Sequence, residues 1–286
     1  MTIAQFIDGK AIAAKLRTSI REKIEEKMAA GYNAPSLAVI LVGEDPASSI
    51  YVRNKREACK EVGIRSTYHH LPSDVKEDQL IELIKVLNHD KTIHGILLQL
   101  PLPQQMNTDN ILEYISPHKD VDGFHPYNLG RLMQRRPLLS PCTPRGVMIL
   151  LDHIKQTYKG KHAVIIGASN IVGRPMALEL LIAGTTITVC HRFTDNLPYF
   201  VKQADILVSA VGKPGIIKGA WIKKGSTIVD VGIIRLTDGT ITGDIEFHAA
   251  KERAAWITPV PGGVGPMTVA VLLQNTLLAT YATPTV

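Results

Sequence analysis

Cysteine is scarce in this chain. Only Cys59, Cys142 and Cys190 occur in 286 residues. The number is odd and no C-x-x-C pair is formed, which argues against a disulfide framework or a thiolate metal site. Long apolar runs are missing too. None reaches the ~18 residues of a membrane span, and runs such as 163–166 and 206–211 have the length of strands. Met1–Asp8 carries no basic segment followed by an apolar core, so it does not read as a secretory signal. Together these absences point to a reducing, cytoplasmic setting and to no membrane partner. The ten histidines contain no H-E-x-x-H and no Cys/His spacing, so no metal is expected. A G-x-S-x-G elbow and a Walker lysine motif are also absent. The formal net charge of +6 would by itself admit nucleic acid, a membrane surface or a small polyanion. Clustered Lys/Arg runs and recognisable nucleic-acid motifs are lacking, however, which sets nucleic acid aside.

What is present is an ordinary globular composition, 45% hydrophobic and 20% charged, at a length that suits two domains or one large one. Apolar residues at Ile12, Leu16, Ile20 and Ile24 predict a helix within 11–28. Ser36–Val42 reads as a buried strand, 48–62 as a helix closed by Gly63, and 64–71 as a strand. A helix over 73–87 with Ser73 as N-cap follows, then a strand over 93–100 that stops at Pro101. The stretch 116–144, rich in Pro, Gly, His and Asp, reads as loops and a domain junction. A helix over 145–153 follows, with Pro144 at its first position. A second alternating unit then runs through strand 163–166, helix 174–183 and strands 186–190, 205–211 and 226–231. A short strand at 241–243 and a final apolar helix over 266–280 complete it. Strands alternating with helices imply parallel sheets covered by helices.

Val164-Ile165-Ile166 runs into Gly167-Ala168-Ser169-Asn170-Ile171-Val172-Gly173-Arg174. A glycine turn between strand and helix lets backbone N–H groups approach a pyrophosphate. A plain strand-turn-helix connection is the alternative. The next strand ends in His191-Arg192, where an NAD-preferring site places a carboxylate about 20 residues beyond the glycines. Cations there suit a 2′-phosphate, so the reading is NADP, with Ser169 and Arg174 as further donors. A merely solvated Arg192 is the competing view. The loops Ala210-Val211-Gly212 and Gly232-Ile233 end the following strands and should flank the cofactor.

Tyr51 and Lys55 are four apart and share a helix face. Tyr-x-x-x-Lys is also the catalytic pair of short-chain dehydrogenases. There it follows the glycine fingerprint, whereas here it precedes it by over a hundred residues. Gln99, at the end of an apolar strand before Leu100-Pro101, needs a hydrogen-bond partner if buried. Asp120-Val121-Asp122-Gly123 makes a poor metal cage, and Asp122 reads better as an acceptor for a ligand N–H. Pro259–Thr268 (PVPGGVGPMT) is too stiff and glycine-rich for a strand or helix and reads as a close-packed loop opening the last helix.

Six segments occur in order: Y-V-x-x-K at 51–55, Q-L-P-L-P at 99–103, K-D-V-D-G-F at 119–124, P-C-T-P at 141–144, G-A-S-x-I-V-G-R-P at 167–175 and P-V-P-G-G-V-G-P-M-T at 259–268. The chain closely resembles the bacterial-type bifunctional methylenetetrahydrofolate dehydrogenase/methenyltetrahydrofolate cyclohydrolase family over nearly its whole length. The resemblance implies an α/β protein of two domains with a cleft between them, forming a homodimer. The N-terminal folate and catalytic domain would be 1–143, with the last helix, 266–286, packing back on it. The Rossmann-like NADP-binding domain would be 144–265. It implies that Lys55, Gln99, Tyr51 and Asp122 are catalytic. Leu100, Pro261, Gly262, Gly263 and Pro266 would join them around tetrahydrofolate derivatives, polyglutamylated forms included. Cofactor contacts would come from Gly167, Ala168, Ser169, Val172, Gly173, Arg174, His191, Arg192, Ala210, Val211, Gly212, Gly232, Ile233 and Thr268. One departure is Ile234, where the family commonly has a polar residue.

Overall fold

The computed structural model describes residues 3–281. In chain order the elements are β1 (Gln5–Phe6), α1 (Gly9–Ala29), β2 (Ser36–Val42), α2 (Pro46–Val62), β3 (Arg65–Leu71), α3 (Glu77–His89), β4 (Gly95–Leu98), α4 (Thr108–Leu112), α5 (Pro126–Met133) and α6 (Cys142–His153). They continue with β5 (His162–Ile166), α7 (Gly173–Ala183), β6 (Thr186–Cys190), α8 (Leu197–Val201), β7 (Ile206–Ser209), β8 (Thr227–Asp230), β9 (Ile234–Arg235), β10 (Ile241–Thr242), α9 (Phe247–Lys251), β11 (Trp256–Ile257) and α10 (Val264–Tyr281). They form two compact units, one of residues 15–142 and 269–281, the other of 3–14 and 143–268. No helix among the described residues is long and apolar enough to cross a membrane.

The first unit is built on a parallel sheet in the order β3-β2-β4. Every residue of β2 is buried, as a central parallel strand covered on both faces requires. Its Ala38, Ile40 and Val42 meet Leu80, Ile84 and Leu87 of α3 and Ile96 and Leu98 of β4 in one core. Segment 119–121 runs beside β4, with Ile96 N–H donating to the Lys119 carbonyl at 2.7 Å. Within this unit the Asn275 amide of α10 donates to the Val121 carbonyl at 2.8 Å and the Ser140 carbonyl at 2.9 Å. The final helix thus returns to the N-terminal part of the chain.

The second unit holds a six-stranded sheet, β1-β11-β8-β7-β5-β6, parallel throughout. Strand order reverses at β5, with β6 on one side and β7 on the other. That is the switch point at which doubly wound folds bind ligands. Its core joins Val164, Ile166, Leu207 and Ile228 of the sheet to Ile217, Ile222 and Ala250 beyond it.

Several sequence expectations shift. Helix α3 starts at Glu77 with Lys76 at the N-cap, not at Ser73. Helix α6 starts at Cys142, so Pro144 is its third residue. The stretch read as loops contains α5, entered through His125 and Pro126. Residues 3–14, expected with the N-terminal domain, group with the six-stranded unit. Ile7 N–H donates to the Ile257 carbonyl at 3.0 Å and Gln5 N–H to the Ala255 carbonyl at 2.8 Å, and these bonds make β1 the sixth strand.

Gly9 opens α1 against the backbone of Gly262 and Gly263, so close that any Cβ would overlap the Gly263 carbonyl. Gly9→Ala is expected to lower the melting temperature at a cost of about 1–3 kcal/mol, measurable by thermal denaturation.

Candidate active site

Helix α2 begins at Asp45, whose carboxylate accepts the Ser48 N–H at 2.7 Å, and Pro46 occupies its first turn. It ends at Gly63, which takes the left-handed conformation (φ 87°) that glycine adopts without strain. Tyr51 and Lys55 therefore stand one above the other on this helix. The Lys55 Nζ donates to Gln99 Oε1 at 3.1 Å. Gln99 follows β4 directly. Its N–H donates to the Ile40 carbonyl at 2.9 Å, and its Nε2 donates to the Leu100 carbonyl at 2.6 Å. That second bond fixes which end of the amide faces the lysine. Tyr51 is 39% exposed, and partial burial raises its phenol above the ordinary range.

The two aspartates of the K-D-V-D-G-F segment differ sharply. Asp120 is buried, and its oxygens accept the N–H groups of Gly123 at 3.2 Å, Phe124 at 3.2 Å and His125 at 2.9 Å, with the Asn128 amide at 2.8 Å. Asp122 receives no hydrogen bond to its carboxyl among the described residues. Burial pushes that carboxyl up to about 6, with Lys55 opposing and Asp120 adding to the shift. Gly123 (φ 76°) packs against Ser140 and Pro141, leaving no space for a Cβ. The three-stranded unit thus gathers Tyr51, Lys55, Gln99, Leu100 and Asp122 at the carboxyl end of its sheet.

In the six-stranded unit the glycine turn follows β5. Gly167 has φ 113°, and a Cβ on it would strike the Ala210 carbonyl. A Cβ on Gly173 would overlap the Gly167 carbonyl. The Ser169 hydroxyl accepts the N–H groups of Val172 at 3.2 Å and Gly173 at 3.3 Å, capping α7. Arg174, expected as a ligand donor, bonds the Asn170 side chain at 2.6 Å and is exposed. His191 and Arg192 stand exposed beyond β6. His191 N–H donates to the Thr194 hydroxyl at 2.9 Å, and the Arg192 guanidinium lies 4.6 Å from the centre of the exposed Phe193 ring. Ala210, Val211 and Gly212 follow β7, while Gly232 and Ile233, the latter 44% exposed, follow β8. Thr268 meets the Thr143 hydroxyl at 2.9 Å. Gly262 and Gly263 are held by the start of α1, with Lys10 N–H donating to the Gly262 carbonyl at 3.1 Å. Pro261 is exposed and Pro266 half-buried.

Sequence reasoning missed Asp230 and Asp244. Asp244 accepts from the Ser209 hydroxyl and from the N–H groups of Val211, Gly212 and Lys213. Asp230 accepts from the N–H groups of Gly232, Asp244 and Ile245. Burial, reinforced by Asp244, raises the Asp230 carboxyl to about 7. Adjacent glycines, Gly232 and Gly243, were the available signal.

A doubly wound parallel sheet with a glycine turn at its switch point defines a dinucleotide-binding unit, here joined to a second α/β unit bearing a lysine, a glutamine and a half-buried carboxyl. Residues 141–283 match the family model for the NAD(P)-binding domain of tetrahydrofolate dehydrogenase/cyclohydrolase, and residues 7–122 match that for its catalytic domain. The bifunctional methylenetetrahydrofolate dehydrogenase/cyclohydrolase of Campylobacter jejuni is 48% identical over 97% of this chain and 98% of its own, with a TM-score of 0.93. The Trypanosoma brucei methylenetetrahydrofolate dehydrogenase-cyclohydrolase, solved with NADP and an inhibitor, is 38% identical over 98% of each chain, with a TM-score of 0.93. The Thermoplasma acidophilum bifunctional enzyme is 35% identical over 96% of this chain and 98% of its own, with a TM-score of 0.90. The chain belongs to the tetrahydrofolate dehydrogenase/cyclohydrolase family.

Asp122 supplies a pH test. Its folded-state carboxyl lies above the ordinary 3.8, so its stabilising contribution is full below 3.8 and lost as pH rises through about 6. Asp122→Asn should flatten the fall in stability across that window, as measured by denaturant unfolding at several pH values.

Proposed function

We propose that Lys55, Gln99, Tyr51 and Asp122 carry the hydrolytic half of a two-step folate reaction, and that the loops of the six-stranded unit hold NADP for the oxidative half. The chain oxidises 5,10-methylenetetrahydrofolate to the 5,10-methenyl form with NADP and hydrolyses that product to 10-formyltetrahydrofolate. NADP, when bound, accepts the hydride. The observation that carries the residue assignment is the Lys55–Gln99 hydrogen bond, formed where β4 ends.

The residues present fit the dinucleotide. The Gly167–Gly173 turn has the close backbone approach that a Cβ would block. The N-terminus of α7 offers its positive dipole end to a pyrophosphate. Gly167, Ala168, Ser169, Val172, Gly173 and Arg174 would take that group. His191 and Arg192 would take the 2′-phosphate, and Ala210, Val211, Gly212, Gly232, Ile233 and Thr268 would line the nicotinamide end. The oxidised product is a resonance-stabilised cation, so this step needs alignment and no base. Hydrolysis needs proton transfers. Water adds to the cationic carbon while Lys55 takes its proton, and the proton returns to N5 as the N5–carbon bond breaks. Gln99 orients the Lys55 amine. Tyr51 covers the folate ring, and Asp122 accepts N–H groups of the pterin edge. Leu100, Pro261, Gly262, Gly263 and Pro266 would shape the walls around the substrate.

Three further readings belong here. Strand β3 is the edge of its sheet and largely exposed, which supports a homodimer through that edge. The +6 charge supports polyglutamylated substrates. The setting is the cytoplasm.

Lys55→Met should lower cyclohydrolase turnover by at least ~100-fold while NADP affinity stays unchanged. Methenyltetrahydrofolate decay and calorimetric NADP titration would measure the two, and intact hydrolysis would remove Lys55 from its role. Arg192→Ala should weaken NADP about tenfold and NAD by under about twofold. Equal effects on both in titration would dismiss the 2′-phosphate contact.

A further inference from the structure

The loop after β7 and the loop after β8 are held by two buried acids. Strands β7 and β8 are neighbours, with Ser209 opposite Asp230 in register. Beyond Ser209 the chain turns so that three successive N–H groups, those of Val211, Gly212 and Lys213, point at one carboxylate, Asp244, at 2.8–2.9 Å. The Ser209 hydroxyl adds a fourth bond at 2.8 Å. Successive amides converging this way make an anion-binding nest, here filled by the protein's own side chain. Asp244 is in turn fixed by Asp230, whose Oδ1 accepts the Asp244 N–H at 3.0 Å and the Gly232 N–H at 3.0 Å, and whose Oδ2 accepts the Ile245 N–H at 3.0 Å. Asp230 N–H donates to the Thr258 hydroxyl at 2.8 Å.

The arrangement is costly for a fold to keep. Asp244 is wholly buried and Asp230 is 5% exposed. No salt bridge reaches either among the described residues. Removing carboxylates from water without a cation is unfavourable unless hydrogen bonds compensate. Two glycines are committed to the contact. A Cβ on Gly232 would press on the Asp244 carboxylate, and one on Gly243 would overlap that of Asp230. Two short turns on the surface could satisfy their amides with water. This pair instead ties residues 209–213, 230–232 and 244–245 together by hydrogen bonds.

We infer that Asp244, seated by Asp230, is a positioning residue for NADP, fixing the backbone of 210–213 and of 232–233 as one surface against the nicotinamide end. This rests on the proposal that these loops line the cofactor. Both acids are buried, so the role is to hold the backbone in place.

Asp244→Asn tests the inference. However its amide turns, the NH2 end must face N–H donors, so the nest opens while side-chain volume is kept. NADP affinity, measured by calorimetry on the full chain, should fall about tenfold or more. Cyclohydrolase turnover of added methenyltetrahydrofolate without NADP should stay within about twofold of wild type, because the proton-transfer residues proposed for that step lie in the other unit. A misfolded variant would lose both. Ser209→Ala, which removes one donor and changes little volume, should weaken NADP by a few-fold in the same titration. Wild-type NADP affinity in Asp244→Asn overturns the inference. If that variant loses cyclohydrolase turnover as well, wild-type affinity in Ser209→Ala overturns it. Hydrogen exchange separates this from failure of the underlying reading. In the wild-type protein NADP should slow exchange in the peptide containing 210–213. Absence of protection there means the loop is not at the cofactor, and both ideas fall.

Discussion

Amide groups just beyond the ends of parallel strands have no ladder partner, and leaving one buried and unpaired costs about 1–3 kcal/mol. In this chain buried aspartates take up that burden. Asp120 gathers the amides of 123–125. Asp244 gathers those of 211–213, and Asp230 ties Asp244 to Gly232. A carboxylate can accept several bonds at once, so one side chain replaces what would otherwise be several waters or turn contacts. The loops that bear the proposed chemistry are thus held from beneath, and their outward groups remain free.

Asp120 and Asp122 show how environment divides two identical groups two residues apart. Asp120 has its oxygens engaged by donors. Asp122 has none, and desolvation carries its carboxyl to about 6. Its neighbours pull in opposite directions, Lys55 favouring the charged form and Asp120 the neutral one. Two carboxyls with different environments can serve different ends. The first shapes the loop, and the second keeps its hydrogen-bonding capacity for a ligand.

The strands were the most legible part of the chain. Ser36–Val42 and Thr186–Cys190 are uninterrupted β-rich runs bounded by turn residues, and both appear with the expected bounds. The Gly63 and Gly167 turns were legible for a similar reason, since each needs a backbone conformation that glycine adopts freely. What eluded sequence reading depends on distant partners. Strand β1 is two residues long and exists only because β11, some 250 residues away, offers an open ladder. Helix α5 is eight residues within a Pro- and Gly-rich stretch and is anchored from outside itself, Asn128 donating to Asp120. The start of α3 moved because the Gln79 side chain reaches back to accept the Lys76 N–H at 3.2 Å, which a scan for Ser, Thr or Asp caps passes over. Of the candidate site, Tyr51, Lys55 and Gln99 stood out by spacing and chain context, and the roles expected of them came from the family resemblance. Asp230 and Asp244 offered only nearby glycines, because acids whose donors are mostly backbone amides leave little pattern in residue types.

The two halves of the proposed reaction ask different things of a protein, and the distribution of ionisable groups follows that difference. Oxidation leaves a cation and releases no proton to the protein, so the surface beside the nicotinamide needs shape and no base. Around 210–213 and 232–233 the carboxylates are turned inward and saturated by amide donors, while backbone and apolar groups such as Ile233 face out. Hydrolysis moves protons, and the other unit keeps an amine and a half-buried carboxyl within electrostatic reach of one another, with Gln99 bonded to the amine. An acid or base loose among the loops proposed to line the nicotinamide would add nothing to the first step and would offer the cationic product a competing partner. Enclosing Asp230 and Asp244 supplies rigidity from charged groups while withholding their reactivity.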